Sequence, residues 1–225
     1  MIANRSFSII YKLIYIFISI VGIVSSLGFF DNKFRWDFYL HFTNVSNYAC
    51  MYVVFYDFIC QVRHRKLEVP FMPFLRFMCT SGIILTFLVF NILLSSKSRN
   101  TNSLNFIIRN TTLHVILPIM YCVYWFVFCK NKKISFNYPL LSVIFPILYI
   151  VYIYVHAFLF KFDTRLVNSN GDAPLIYPYF FLNPESKGVS GVVKYCIILF
   201  FVYLVISYIL LFIDITKKKI KANRV

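Results

Sequence analysis

Two stretches of the sequence carry side chains that could do chemistry. One is Leu40-His-Phe-Thr-Asn-Val-Ser-Asn47, the other Arg109-Asn-Thr-Thr-Leu-His114-Val-Ile-Leu-Pro118. On a helix Thr43, Ser46 and Asn47 stand at i, i+3 and i+4 and share one face. A hydroxyl attacks a carbonyl only when a base takes its proton, and imidazole is the commonest such base. Between membrane helices the same polar groups also serve as glue, joining one helix to the next by hydrogen bonds. Ser46 and Asn47 read as that glue, whereas for Thr43 both uses stand. Pro118 has no N–H, so in an α-helix the carbonyl of His114 loses its i+4 partner and the helix should kink. A free acceptor then lies beside an ionisable ring, near the depth of Thr43. Ionisable groups inside a membrane are costly, and this coincidence favours a functional His114 over a packing one.

The elements that must hold these residues are membrane helices. The chain is 60% hydrophobic and 14% charged, with mean hydropathy +0.73, against about 45–50% apolar and about 25% charged in soluble domains. One soluble core could not hide that much apolar surface. Apolar runs long enough to cross a hydrocarbon layer recur along the whole chain. They predict spans at Ser8–Phe30, Asp37–Gln61, Phe71–Ser95, Thr111–Cys129, Tyr138–Phe160 and Val192–Ile213. The expected fold is an all-α integral membrane protein, a six-transmembrane-helix bundle forming one domain over residues 1–225, multi-pass in the cell membrane. The first run is too long for a signal-peptide core and lacks an A-x-A site, so it reads as an uncleaved helix. Helical rise puts Thr43 roughly 10 Å below the outer end of the second span.

The net charge of +15 does not point to nucleic acid, because of where the charges lie. Taking loops alternately, one side collects Arg5, Lys12, Arg63, Arg65, Lys66, Lys130, Lys132, Lys133 and the C-terminal run from Lys217 to Arg224. The other side carries fewer, and the positive-inside rule puts both termini in the cytoplasm. The basic tail suits anionic headgroups. The cysteines lie in or at the ends of spans, with no C-x-x-C pair and no zinc spacing. Walker, Rossmann and H-E-x-x-H patterns are also missing, so neither metal nor cofactor is expected.

Other intramembrane polar residues divide by depth. Asp57 and Arg76 fall at similar depth near the cytoplasmic ends of adjacent antiparallel spans and read as a structural ion pair; alternatively Arg76 snorkels. Asn91, His156 and Asp163 fall near outer ends, where they complete a site around Thr43 and His114 or are ordinary interfacial residues. Pro146 frees the carbonyl of Ser142. The segment Tyr177-Pro-Tyr-Phe-Phe-Leu-Asn-Pro184 suits an aromatic-belt hairpin, or a lid over an outer pocket if its backbone is satisfied.

The order Phe42-Thr-Asn-Val-Ser-Asn47, Thr112-Leu-His-Val-Ile-Leu-Pro118, Tyr177-Pro-Tyr-Phe-Phe-Leu-Asn-Pro184 resembles bacterial six-span relatives of the androgen-induced protein family, which includes androgen-dependent TFPI-regulating protein. The resemblance covers nearly the whole chain in span number and motif order. Eukaryotic members are membrane threonine hydrolases that cleave fatty acid esters of hydroxy fatty acids. The resemblance implies Thr43 as nucleophile and His114 as base.

Three functions follow as expectations. The first is an intramembrane ester hydrolase acting on a lipid-like ester that enters from the outer leaflet. Asn44 or Asn47 would be its oxyanion donor, with His156 and Asp163 as further site residues and Asp163 a candidate to orient the imidazole. The second is a small-molecule transporter, against which stand the lack of paired broken helices and of an inverted repeat. The third is a non-catalytic membrane binding or assembly protein. In each, membrane lipids are the partners.

Overall fold

The structure is a computed structural model that describes residues 5–31, 34–63, 69–94, 103–129, 134–160 and 176–222, with side chains to residue 216. Helix makes up nearly all of it, and no described residue lies in a strand. Helix α1 is Arg5–Ser26, α2 Phe42–Val62 and α3 Met72–Val89, the last running on into a π-helical turn at Phe90–Leu94. Helix α4 (Leu104–Thr111), a π turn (Thr112–Ile116) and α5 (Leu117–Val127) form one continuous rod. Helix α6 (Tyr138–Ser142) leads into α7 (Ile144–Phe160), and α8 is Pro184–Ala222. Five helical segments are long and apolar enough to cross a membrane: Arg5–Ser26, Met72–Leu94, Leu104–Val127, Tyr138–Phe160 and Pro184–Thr216. The chain is therefore an all-α, multi-pass membrane protein. Helix α2, at 21 residues, is nearly as long as the first of those five, at 22. Its polar first turns and Asp57 leave it less apolar than the other five.

Several helix ends differ from those expected, each for a local reason. Helix α1 stops at Ser26 because Gly28, with φ 79°, takes the left-handed conformation that closes a helix. Helix α2 starts at Phe42 rather than Asp37, since residues Trp36–Tyr39 form a separate 3-10 turn. Thr43 is thus in the first turn of its helix instead of deep within it. The fourth rod starts at Leu104, well before Thr111, because the Ser103 hydroxyl caps it by accepting from the Phe106 N–H at 3.3 Å. The last helix extends beyond Val192–Ile213 at both ends, with a break at Gly188 (φ 68°, ψ 161°).

Helix α3 is the central element. It packs on α2 and α5 through one apolar cluster that includes Cys79, Ile83, Leu117 and Tyr121. Its other side packs on α8 through a second cluster with Phe77, Leu85 and Tyr203. Small polar residues join the helices where apolar packing gives no net attraction in lipid: Ser207 donates to Ser81 at 3.0 Å and Ser46 shares a hydrogen bond with Thr86 at 2.8 Å. The carbonyl of Ser142, freed by Pro146, accepts from the Tyr203 hydroxyl at 3.0 Å. The outer faces of α1, α7 and α8 expose large apolar side chains such as Phe17, Phe158 and Phe201, as lipid contact requires.

Candidate functional site

The polar face of α2 is almost wholly engaged in holding helices together. The Asn44 amide donates to the Phe38 carbonyl, and its oxygen accepts from Ser26 of α1 at 3.4 Å. The Asn47 amide nitrogen donates both to the Thr43 carbonyl at 2.8 Å and to the Leu113 carbonyl at 3.1 Å. Ser46 donates to the Thr43 carbonyl at 3.0 Å in addition to meeting Thr86. The Asn47 amide thus gives both of its N–H groups to backbone carbonyls, and the Asn44 amide gives one.

The π turn explains why Asn47 reaches across. In that register the Leu117 N–H goes to the Thr112 carbonyl, one residue further back than in an α-helix. The next carbonyl, Leu113, then faces Pro118, which has no N–H to give. The orphan acceptor expected at His114 therefore sits at Leu113, and Asn47 satisfies it. The His114 carbonyl is approached by Asn91 Nδ2 at 3.5 Å, while that amide also donates to the Phe87 carbonyl at 2.7 Å.

The His114 ring lies face to face with Phe90 of the α3 π turn, centroids 3.5 Å apart. Its Nδ1 is buried and has no hydrogen-bond partner among the described residues. Arg109 and His41 are close enough to act on it electrostatically. No described hydrogen bond joins His114 to the Thr43 hydroxyl; the two residues are connected through Asn47 and Leu113.

Thr43 lines a cavity of about 840 Å3 enclosed by the start of α2, by α3, α7 and α8, and by the segment from Tyr179 to Pro184. Its walls are apolar apart from a few hydroxyl groups. Among these, Tyr149 donates to the Leu40 carbonyl at 2.8 Å and Tyr154 to the Leu182 carbonyl at 3.0 Å. Thr86 is paired with Ser46. Thr43 and Tyr179 remain, and they lie beside each other in the wall. Ile147, Val193, Ile197 and Phe201 line the cavity and are also exposed on the outside of the bundle. The cavity therefore opens between α7 and α8.

The cover of the cavity is the aromatic segment singled out in the sequence. The Tyr179 ring stacks on Phe181 at 5.0 Å and meets the His41 ring edge-on at 5.6 Å. Burial raises the Tyr179 phenol above its ordinary pKa, and the neighbouring polar groups of Thr43 and the first turn of α2 work the other way. Neither Tyr179 nor Phe90 stood out in the sequence as an individual. Their importance comes from contacts with residues far away along the chain.

The remaining predicted site residues lie elsewhere. His156 is buried against Tyr39, with 3.2 Å between Nε2 and the phenol oxygen, and stacks on Phe160, outside the cavity wall. Asp163 lies outside the described residues. At the opposite end of α2 the Arg76 guanidinium donates two hydrogen bonds to Asp57, one from Nε at 2.9 Å, and Tyr124 donates a third. Among the described residues no three His, Cys, Asp or Glu side chains gather in a way that could hold a metal ion. In comparisons with known proteins, no family model, no curated protein and no solved structure matches this chain.

Proposed function

We propose that this chain is a six-span protein of the cell membrane, both termini cytoplasmic, that hydrolyses fatty-acyl esters within the outer leaflet. The observation that carries the reading is the Thr43 hydroxyl in the wall of a largely apolar cavity that opens between α7 and α8. An acyl chain fits such walls, and its ester carbonyl would then lie against Thr43. Helix α2, at 21 residues, reaches about 30 Å and has the length of a sixth span. The uneven distribution of Lys and Arg supports cytoplasmic termini.

In the reaction His114 takes the Thr43 proton as Oγ1 attacks the carbonyl carbon. The tetrahedral intermediate collapses, the C–O bond to the alcohol breaks, and His114 returns the proton to the leaving oxygen. Water, deprotonated by the same ring, then cleaves acyl-Thr43 and releases the fatty acid. The base must come within about 3 Å of Oγ1, which requires Phe90 to leave the His114 face. The resemblance to the androgen-induced protein family supports the same two residues in the same roles.

The test is labelling of the membrane-embedded protein by a fluorophosphonate probe. The wild type should be labelled and the folded Thr43→Ala variant should not. A well-folded wild type that takes no label would overturn the reading. The ring of Phe90 on His114 favours a second reading, a lipid-binding protein without turnover. Lipid-dependent thermal stabilisation without any released fatty acid would select it.

A further inference from the structure

We propose that Tyr179 is a further catalytic residue of that hydrolysis, its phenolic O–H donating to the carbonyl oxygen of the ester as Thr43 attacks. The inference rests on the hydrolase reading. It starts from the donors around Thr43. Acyl transfer needs a hydrogen-bond donor aimed at the oxygen that becomes negative, and the two nearby asparagine amides are engaged by Phe38, Thr43 and Leu113. Tyr149 and Tyr154, the other phenols of the cavity wall, donate to backbone carbonyls.

Tyr179 differs from them. It lines the same cavity wall as Thr43, with its phenol beside the Thr43 side chain and the backbone of Phe42 and Thr43. These belong to the first turn of α2, where helix N–H groups have no partner within the helix. Among the described residues the Tyr179 phenol donates to no acceptor, whereas Tyr11, Tyr48, Tyr124, Tyr149, Tyr154 and Tyr203 each donate to a carbonyl or carboxylate oxygen. The ring is also held in advance of substrate, stacked on Phe181 and edge-on to His41. The backbone behind it is pinned where Tyr154 donates to Leu182. Fixed donors of this kind need no reorganisation during the reaction. The proton stays on Tyr179 throughout; only the hydrogen bond shifts to the developing oxyanion.

The experiment uses the full chain in nanodiscs with a long-chain p-nitrophenyl ester. Tyr179→Phe should lower kcat by about 10²–10³-fold, leaving KM and thermal stability close to wild type. Fluorinated tyrosine at position 179 keeps the ring and its packing while lowering the phenol pKa, so the alkaline limb of kcat should move to lower pH. If Thr43→Ala abolishes turnover while Tyr179→Phe retains it, or if the alkaline limb stays in place, the Tyr179 assignment is wrong and the hydrolase reading stands. If Thr43→Ala retains turnover, the hydrolase reading itself fails. Should Tyr179→Phe prove unstable, the fluorotyrosine profile alone decides.

Discussion

The ring of Phe90 lies flat on that of His114, with centroids 3.5 Å apart and planes 10° apart. Phe90 also lines the cavity that holds Thr43, so a single aromatic ring separates the imidazole from the cavity space. Both residues lie in π-helical turns, one at Phe90–Leu94 and one at Thr112–Ile116. Such turns recur at functional sites. Removing the ring should open His114 to small reagents that enter the cavity. Phe90→Ala is expected to speed carbethoxylation of His114 by diethyl pyrocarbonate several-fold, read by peptide mass spectrometry, with His156 as an unaffected control. Equal rates in variant and wild type would mean that His114 is reached by another route.

The bridge from Asn47 to Leu113 makes a separate prediction about stability. Asn47→Ala leaves the buried Leu113 carbonyl without its donor, which costs about 1–3 kcal/mol. The cost should depend on Pro118, because the missing N–H at that position is what orphans the carbonyl. Pro118→Ala restores an N–H in the π register, and in that background Asn47→Ala should be milder by about 1 kcal/mol. Denaturation of the four proteins of this cycle in detergent measures the difference. Strictly additive costs would show that proline and asparagine act independently.

The apolar helices were legible in the sequence because each run had to match a bilayer thickness, whatever its neighbours did. Their ends were less legible. Trp36, Phe38 and Tyr39 are hydrophobic enough to extend the second span on paper, but they form a 3-10 turn that delivers the chain to His41. The apolar run of the fourth span begins at Thr111 in the sequence, although a Ser103 cap begins the helix at Leu104. The polar residues Thr43, Asn47 and His114 stood out as unexpected in lipid. Their pairing did not, because the π turn shifts the carbonyl ladder by one residue. Tyr179 was hidden for a related reason: its partners on α2 lie far away in the sequence, and its own motif reads as an interfacial aromatic belt.

At the other end of α2, Asp57, Arg76 and Tyr124 form a largely buried charged cluster, with 16% of the Arg76 side chain and 11% of the Asp57 side chain exposed. Removing one member of a buried ion pair strands the other, and such losses run to about 3–5 kcal/mol. Asp57→Ala should therefore be among the most destabilising substitutions in the chain. Replacing both charges with apolar residues, as in Asp57→Leu with Arg76→Met, should recover much of that loss, since no charge is left unpaired. Unfolding in mixed detergent provides the comparison. A double variant as unstable as Asp57→Ala alone would show that the cluster does more than neutralise itself.

Two glycines should fail for opposite reasons when given a side chain. A Cβ at Gly82 would stand 2.7 Å from Phe145 Cε1, so Gly82→Ala overpacks the α3 interface at a cost of about 1–3 kcal/mol. Shortening the ring with Phe145→Leu should relieve it. At Gly188 nothing lies within 4 Å of the Cβ position, yet φ is +68°, with ψ 161°. The cost of Gly188→Ala is therefore backbone strain, about 1–3 kcal/mol, and no neighbouring substitution should rescue it. D-alanine, introduced by semisynthesis, favours positive φ and should be tolerated there. Because Gly188 lies between the cavity cover and the main body of α8, L-alanine should also shift Tyr179 relative to Thr43; under the proposed hydrolase function this reduces turnover, whereas D-alanine preserves it. Equal stability and turnover for the two enantiomers would show that the backbone at this joint is not constrained.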